Sequence, residues 1–143
     1  MPSRPVCVDA SVVVRLVAND KDEATWMLWE TWHKDKRQII APSLLHYEVL
    51  NALFRYYRAQ QMSLDAVKNS FGAALALPIR LYQSEEVHRA ALDLASQFLL
   101  KASYDAHYLA LAKQMNADFW TGDGQLVKAV QNMLPWVHHL PQA

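Results

Sequence analysis

Four acidic residues stand at positions where chemistry is expected. They are Asp9, Glu48, Asp105 and Asp123, called the acidic quartet below. Each lies where a predicted strand passes into a helix, or one turn into that helix. Carboxylates that lie close together raise one another's pKa unless a cation compensates their charge, and hard divalent ions such as Mg²⁺ and Mn²⁺ prefer oxygen ligands. The quartet therefore predicts a carboxylate metal site suited to phosphodiester cleavage.

The elements that must position the quartet alternate along the chain. Short apolar runs predict strands at 6–9, 39–41, 78–82, 118–121 and 136–138. Helices are predicted at about 22–36, 44–60, 63–77, 84–100 and 104–115, with a turn or first helix after Asp9 and a short helix before the last strand. Buried apolar strands that alternate with helices are typical of a mainly parallel sheet covered on both faces. In such sheets, sites form beyond the carboxyl ends of the strands.

Four serines mark the starts of predicted helices. Ser43 and Ser103 are expected to act as N-caps, and helices are expected to open at Ser63 and Ser84. A serine hydroxyl at the N-cap position accepts a hydrogen bond from one of the unpaired amides of the first helical turn.

Length and composition restrict the kind of molecule that carries the site. A chain of 143 residues with 52% apolar and 20% charged residues is expected to form one compact domain over 1–143. No apolar stretch approaches the roughly 20 residues that span a bilayer, so a soluble, cytoplasmic protein is expected. The single Cys7 is predicted to be a small buried hydrophobe.

The net charge is zero, with 14 basic and 14 acidic residues. This balance argues against a strongly nucleic-acid-binding surface. If the quartet surrounds a metal, however, basic residues outnumber acidic ones over the rest of the chain, which allows modest RNA binding.

The helix predicted to begin at residue 44 carries a polar stripe. Glu48, Asn51, Arg55 and Arg58 recur at spacings of three and four, which places them on one helical face. On the functional interpretation, Glu48 ligates metal, Asn51 orients it, and Arg55 or Arg58 holds a phosphate through a bidentate contact. The alternative is a solvated face with a weak ion pair.

A tryptophan stripe, Trp26, Trp29 and Trp32, recurs on the helix predicted at about 22–36. Such a stripe more often packs into a core than against a partner. The partner interpretation stays open because aromatic residues anchor protein interfaces.

The quartet lies in segments that resemble the signature blocks of the PIN-domain ribonuclease family, especially the small VapC-like toxins of toxin–antitoxin pairs. The segments are VDAS at 8–11, EVLNAL at 48–53, YDAHYLALA at 104–112 and TGDGQL at 121–126. Four blocks in order and in suitable strand and helix contexts form a specific signal that spans nearly the whole chain.

The resemblance implies a three-layer α/β/α sandwich and a metal-dependent endoribonuclease that uses Mg²⁺ or Mn²⁺. It also implies frequent homodimers and often a cognate antitoxin that blocks the site. By position, the acidic quartet matches the family's catalytic and metal-binding acids, and Ser11 and Asn51 match its supporting polar residues. One departure follows Asp123, where many relatives have a further acid or amide and this chain has Gly124 and Gln125. A second metal would then be held weakly or arrive with the RNA phosphate.

Other functions use the same residues. Carboxylate-bound metals also serve phosphatases and DNA nucleases. A catalytically weak domain that dimerises or binds RNA is a further alternative, although four carboxylates kept without metal would carry an electrostatic cost. The chain has no phosphate-loop motif, dinucleotide fingerprint or Gly-x-Ser-x-Gly elbow.

Overall fold

Five strands form one parallel sheet in the computed structural model, which describes residues 3–18 and 22–141. The strand order is β3-β2-β1-β4-β5. The strands are β1 (Val6–Val8), β2 (Ile39–Pro42), β3 (Arg80–Tyr82), β4 (Asp118–Thr121) and β5 (Val137–His139). Every pair of neighbouring strands is parallel, as the alternation of strands and helices predicts.

Seven helices in the described ranges cover this sheet. They are α1 (Ala10–Ala18), α2 (Glu23–Lys34), α3 (Leu45–Arg58), α4 (Leu64–Ala76), α5 (Glu85–Gln97), α6 (Ser103–Gln114) and α7 (Gly124–Val130). The segment after Asp9 is thus a helix rather than a tight turn. The predicted three-layer α/β/α architecture is confirmed.

The core follows the apolar runs of the sequence. All three residues of β1 are fully buried, because this strand has neighbours on both sides and helices above and below. Cys7, in the middle of β1, is a free buried thiol, as predicted. Trp29 and Trp32 are also buried in this core, which confirms the core interpretation for these two residues.

The helix starts predicted at Ser63 and Ser84 are confirmed, and both serines are N-caps in the structure. Ser63 accepts a hydrogen bond from the amide of Ala66 and Ser84 accepts one from that of Val87. The predictions for Ser43 and Ser103 were wrong. The Ser43 amide donates to the Tyr82 carbonyl at 2.8 Å and ties the end of β2 to β3, so that α3 begins at Leu45.

Ser103 lies inside α6 as its first residue. Its carbonyl accepts a 2.7 Å hydrogen bond from Nδ1 of His107. The N-cap position belongs to Ala102, whose side chain cannot accept a hydrogen bond.

The order in which the chain adds strands to the sheet changes direction at β1. From β1 the chain moves outward to β2 and β3, and then returns to the other side of β1 with β4 and β5. A crevice at the carboxyl ends of β1 and β4 is the expected site in such a sheet. The register pairs Val8 with Trp120, so the residues that follow them, Asp9 and Thr121, emerge side by side at this crevice.

Across the described residues, no helix combines the length and apolar character needed to cross a membrane.

Candidate active site at the carboxyl edge of the sheet

Asp9 is the most buried member of the quartet, with 8% of its surface exposed. It directly follows β1 and precedes α1. Its Oδ1 accepts hydrogen bonds from the amide of Ser11, at 3.0 Å, and from the Ser11 hydroxyl. Its Oδ2 accepts a hydrogen bond from the hydroxyl of Thr121, at 2.5 Å. Both carboxylate oxygens are therefore held in fixed positions.

Ser11 and Thr121 also link Asp9 to the loop that carries Asp123. The Ser11 hydroxyl accepts a hydrogen bond from the Gly122 amide at 2.7 Å, and the Thr121 hydroxyl accepts one from the Asp123 amide at 3.0 Å. A Cβ at Gly122 would lie 3.1 Å from the Ser11 oxygen, so this close approach favours glycine. Ser11 was predicted as a supporting residue. Thr121 was not predicted as a supporting residue. Its position at the carboxyl end of β4 was the one feature of the sequence that could have identified it.

Glu48 lies in the first turn of α3 and is half-buried. Its Oε1 accepts a 2.6 Å hydrogen bond from the hydroxyl of Tyr108, a residue of α6 that is only 1% exposed. Sequence reasoning missed Tyr108 because a tyrosine in an apolar helix is indistinguishable from an ordinary core residue.

Asp105 and Asp123 occupy two other helix starts. Asp105 is the third residue of α6, where a carboxylate is stabilised by the helix dipole. Asp123 is the N-cap of α7, and its Oδ1 accepts hydrogen bonds from the amides of Gln125 and Leu126, at 3.0 and 3.2 Å. Its Oδ2 takes no part in this cap. Asp123 is thus both a turn residue and a member of the quartet.

One cavity of about 440 Å³ brings the whole quartet together. Asn51 and Arg55 of the predicted polar stripe also line this cavity, whereas Arg58, the last residue of α3, does not. Arg15 of α1 and Tyr56 of α3 line the cavity as well and were not identified from the sequence. The roles of these side chains in catalysis and RNA binding remain predictions.

Three of the four carboxyl groups in the cavity have raised pKa values. Burial raises the pKa of Asp9 to about 6, even though the hydrogen bonds from Ser11 and Thr121 oppose this change. Burial also raises the pKa of Asp105 to about 6, and the charges of Asp123 and Asp9 contribute to the increase. The pKa of Glu48 is raised mainly by burial. A cation in the cavity would relieve this repulsion.

The donor set fits a hard divalent ion, since all four charged groups offer carboxylate oxygens. Within residues 3–18 and 22–141, no three His, Cys, Asp or Glu side chains already form a closed metal cage. Such a cage is unnecessary for Mg²⁺, which usually keeps several waters and takes one or two carboxylates together with substrate phosphates. The open arrangement is therefore compatible with Mg²⁺ or Mn²⁺.

Comparison with known proteins identifies the family to which the fold belongs. The family model described as the PIN domain matches residues 7–134, which include the entire quartet. No curated protein is recognisably similar to the chain.

Several solved structures share the fold at low sequence identity. VapBC2 from Rickettsia felis, bound to a DNA fragment from its promoter, has a TM-score of 0.70 and 13% identity, over 95% of this chain and 98% of that one. PAE2754 from Pyrobaculum aerophilum has a TM-score of 0.66 and 21% identity, over 88% and 84% of the two chains. VapC20 from Mycobacterium tuberculosis, a sarcin–ricin loop cleaving toxin, has a TM-score of 0.62 and 16% identity, over 87% and 95%.

Proposed function

We propose that this chain, which belongs to the PIN-domain family, is a metal-dependent endoribonuclease of the toxin type. The observation that carries the proposal is the meeting of all four acids in one cavity at the carboxyl edge of the sheet. Two of them have pKa values raised to about 6, so their charges are only partly compensated by the protein. One of the similar folds is a sarcin–ricin loop cleaving toxin, which supports RNA as the substrate class.

The quartet would hold Mg²⁺ or Mn²⁺, with Asp9 as the most rigid ligand. When bound, such an ion supplies the positive charge that activates a water and stabilises charge on the scissile phosphate. Ser11 and Thr121 fix the two Asp9 oxygens, so this ligand needs no reorganisation before reaction. Tyr108 fixes Glu48 in the same way.

The RNA backbone would enter beside α3 and α1. Arg55 lines the cavity and is placed to hold a phosphate of the substrate. A second cavity, of about 440 Å³, shares Val14, Arg15 and Tyr56 with the first and extends to Gln61 and Met62. Arg15 would contact a phosphate and the Tyr56 ring would stack on a base, and these are the two kinds of contact by which proteins commonly bind single-stranded RNA.

A protein partner belongs to the proposal. The face between α3 and α4 exposes apolar side chains, among them Tyr47 at 78% and Phe54 at 47%. Such a surface suits a second copy or an antitoxin, and one similar structure is a toxin–antitoxin complex from Klebsiella pneumoniae. Light scattering of wild type and Phe54→Glu tests the homodimer, which we expect the glutamate to weaken. The enzyme would act in the cytoplasm.

The decisive experiment incubates the purified, partner-free protein with single-stranded and structured RNA in Mg²⁺ or Mn²⁺. Parallel reactions contain EDTA, the Asp9→Asn variant, or Glu30→Gln, which removes one exposed charge from α2 and serves as the matched control. We expect cleavage that EDTA abolishes and that Asp9→Asn reduces by about 100-fold, equivalent to about 2.7 kcal/mol of transition-state stabilisation. Glu30→Gln should cleave as wild type does.

Two results would contradict the proposal. If Asp9→Asn cleaves RNA as fast as wild type, the quartet is not the active site. If wild type cleaves DNA or phosphomonoesters but no RNA, the metal site serves another phosphoryl reaction. Circular dichroism of Asp9→Asn establishes that loss of activity does not reflect loss of fold.

A further inference from the structure

Two histidines on neighbouring helices meet outside the acidic cavity. Nδ1 of His88, on α5, lies 2.8 Å from Nε2 of His107, on α6. The ring centroids are 4.9 Å apart and the ring planes are inclined by 75°. His88 is exposed and His107 is half-buried, so the pair is open to solvent.

The orientation of His107 is set by the backbone of its own helix. Its Nδ1 lies 2.7 Å from the carbonyl oxygen of Ser103, one turn earlier. A carbonyl oxygen only accepts, so Nδ1 carries the proton, and in the neutral ring the lone pair is on Nε2, which faces His88. Metal-binding histidines usually donate their other ring N–H to a carbonyl or carboxylate in this manner, which fixes both tautomer and ring direction.

We propose that His88 and His107 form a two-histidine site for a transition-metal ion such as Zn²⁺ or Ni²⁺, distinct from the acidic quartet. Zn–N bonds of about 2.0–2.1 Å in tetrahedral geometry place two ligand nitrogens about 3.3 Å apart. The two nitrogens need to separate by only about half an ångström from 2.8 Å to reach that spacing. In the metal-free pair Nδ1 of His88 donates its proton to Nε2 of His107, so on metal binding Nδ1 releases this proton to solvent and the neutral His88 ring carries a proton on Nε2 instead. A rotation of the exposed His88 ring can then supply the movement and direct the Nδ1 lone pair toward a shared ion.

Two protein ligands make this an open site. In the described chain no third histidine, cysteine or carboxylate completes a cage around the pair. Water would fill the remaining positions. Such a site binds more weakly than a structural zinc centre and remains exchangeable.

The histidine pair and the quartet select different ions. Imidazole nitrogen suits Zn²⁺, Ni²⁺ and Cu²⁺, whereas carboxylate oxygen suits Mg²⁺ and Mn²⁺. His107 lies two residues after Asp105 on α6, and residues two apart on a helix do not share a face. An ion on the pair would therefore join α5 to α6 without occupying the acidic cavity.

The test titrates Zn²⁺ into the full chain by calorimetry in excess Mg²⁺, which keeps the acidic cavity supplied with its own class of ion. The proteins are wild type, His88→Gln, His107→Gln and His33→Gln. His33 is the matched control, because its Nδ1 also contacts a carbonyl one turn earlier, that of Trp29 at 2.8 Å, but it faces no second histidine. A parallel measurement records the electron paramagnetic resonance spectrum of wild type with one equivalent of Cu²⁺.

We expect one Zn²⁺ to bind per chain in wild type and in His33→Gln. Affinity should fall about tenfold or more in each of His88→Gln and His107→Gln. The Cu²⁺ spectrum should show coupling to two imidazole nitrogens. Equal Zn²⁺ affinity in His88→Gln and wild type, no Zn²⁺ binding by wild type, or a Cu²⁺ spectrum without two-nitrogen coupling would each overturn the site and leave a simple hydrogen-bonded pair. The Cu²⁺ measurement uses wild type alone and so stands even if a variant misfolds.

Discussion

The hydroxyl of Tyr108 donates a 2.6 Å hydrogen bond to Oε1 of Glu48, and so joins α6 to the carboxylate that α3 contributes to the candidate active site. Tyr108 is almost fully buried and its ring stacks on Phe119 of β4, with ring centroids 6.0 Å apart. The position of Glu48 is therefore set by the core beneath the cavity as well as by its own helix.

Removing this hydroxyl should weaken metal binding without unfolding the protein. In Tyr108→Phe the ring remains to fill its place, but Glu48 loses the donor that orients it. We expect Mg²⁺ or Mn²⁺ affinity, measured by calorimetry, to fall about 10- to 100-fold. Tyr104→Phe is the matched control, because Tyr104 lies on the same helix and is 58% exposed. Equal affinities in the two variants would show that the hydrogen bond does not orient a ligand.

The hydroxyl of Thr121 should contribute more than its methyl group to stability and to RNA cleavage. Thr121→Val keeps the shape but leaves the Asp9 carboxylate and the Asp123 amide without their shared partner. We expect it to lose about 1–3 kcal/mol of unfolding free energy, measured in urea, because buried polar groups become unpaired, and to lose RNA cleavage. Thr121→Ser retains the hydroxyl and should retain most of the activity. If Thr121→Val is as active as Thr121→Ser, the Thr121 hydroxyl is not needed to hold Asp9 in position.

The stability of the metal-free protein should decrease as the pH rises from about 4 to about 6. The pKa values of Asp9 and Asp105 are raised from 3.8 to about 6 in the folded protein, so the folded state holds protons that the unfolded state releases in this window. Their stabilising contribution is present below the unfolded pKa and is lost as the pH passes the folded one. Urea unfolding in EDTA across this window measures the change.

Two additions to that experiment isolate its cause. Asp9→Asn cannot ionise, so its stability should vary less with pH than that of wild type. Mg²⁺ binds the ionised carboxylates and should restore stability near pH 7. A metal-free wild type whose stability rises through this window would contradict the assigned direction of the pKa shifts.

Arg55 and Arg58 should differ in their contribution to RNA binding, because only Arg55 lines the cavity. We expect Arg55→Ala, in the Asp9→Asn background that prevents cleavage, to weaken RNA binding. The slope of log Kd against the logarithm of the salt concentration should decrease by about 0.7 if one phosphate contact is lost. Arg58→Ala removes the same charge one turn further along and should have the smaller effect. Equal losses would mean that both arginines act through general surface charge.

Much of the fold was predictable because its signals are local. Four of the five strands begin within one residue of their predicted positions, since short runs of apolar residues bounded by polar or turn residues have few stable conformations other than a strand. The edge strand β3 begins two residues later than predicted, and two of its three residues are exposed. The locations of the four acids were also predictable, because each acid lies at the end of a strand or at the start of a helix. Helices start at Ser63 and Ser84 as expected, and both serines cap them. These features depend on residues within a few positions of one another.

The sequence by itself determined the alternation of elements, the central buried strands and the places of the four acids at strand ends and helix starts, since periodicity, burial and turn chemistry act over short distances along the chain. Only the tertiary structure decided which groups hold those acids. Tyr108 meets Glu48 across 60 residues and Thr121 meets Asp9 across 112. Strand order and register bring these pairs together. The same long-range packing placed Arg15 beside the cavity and left Arg58 outside it, and it replaced the expected Ser43 cap by a bond to β3.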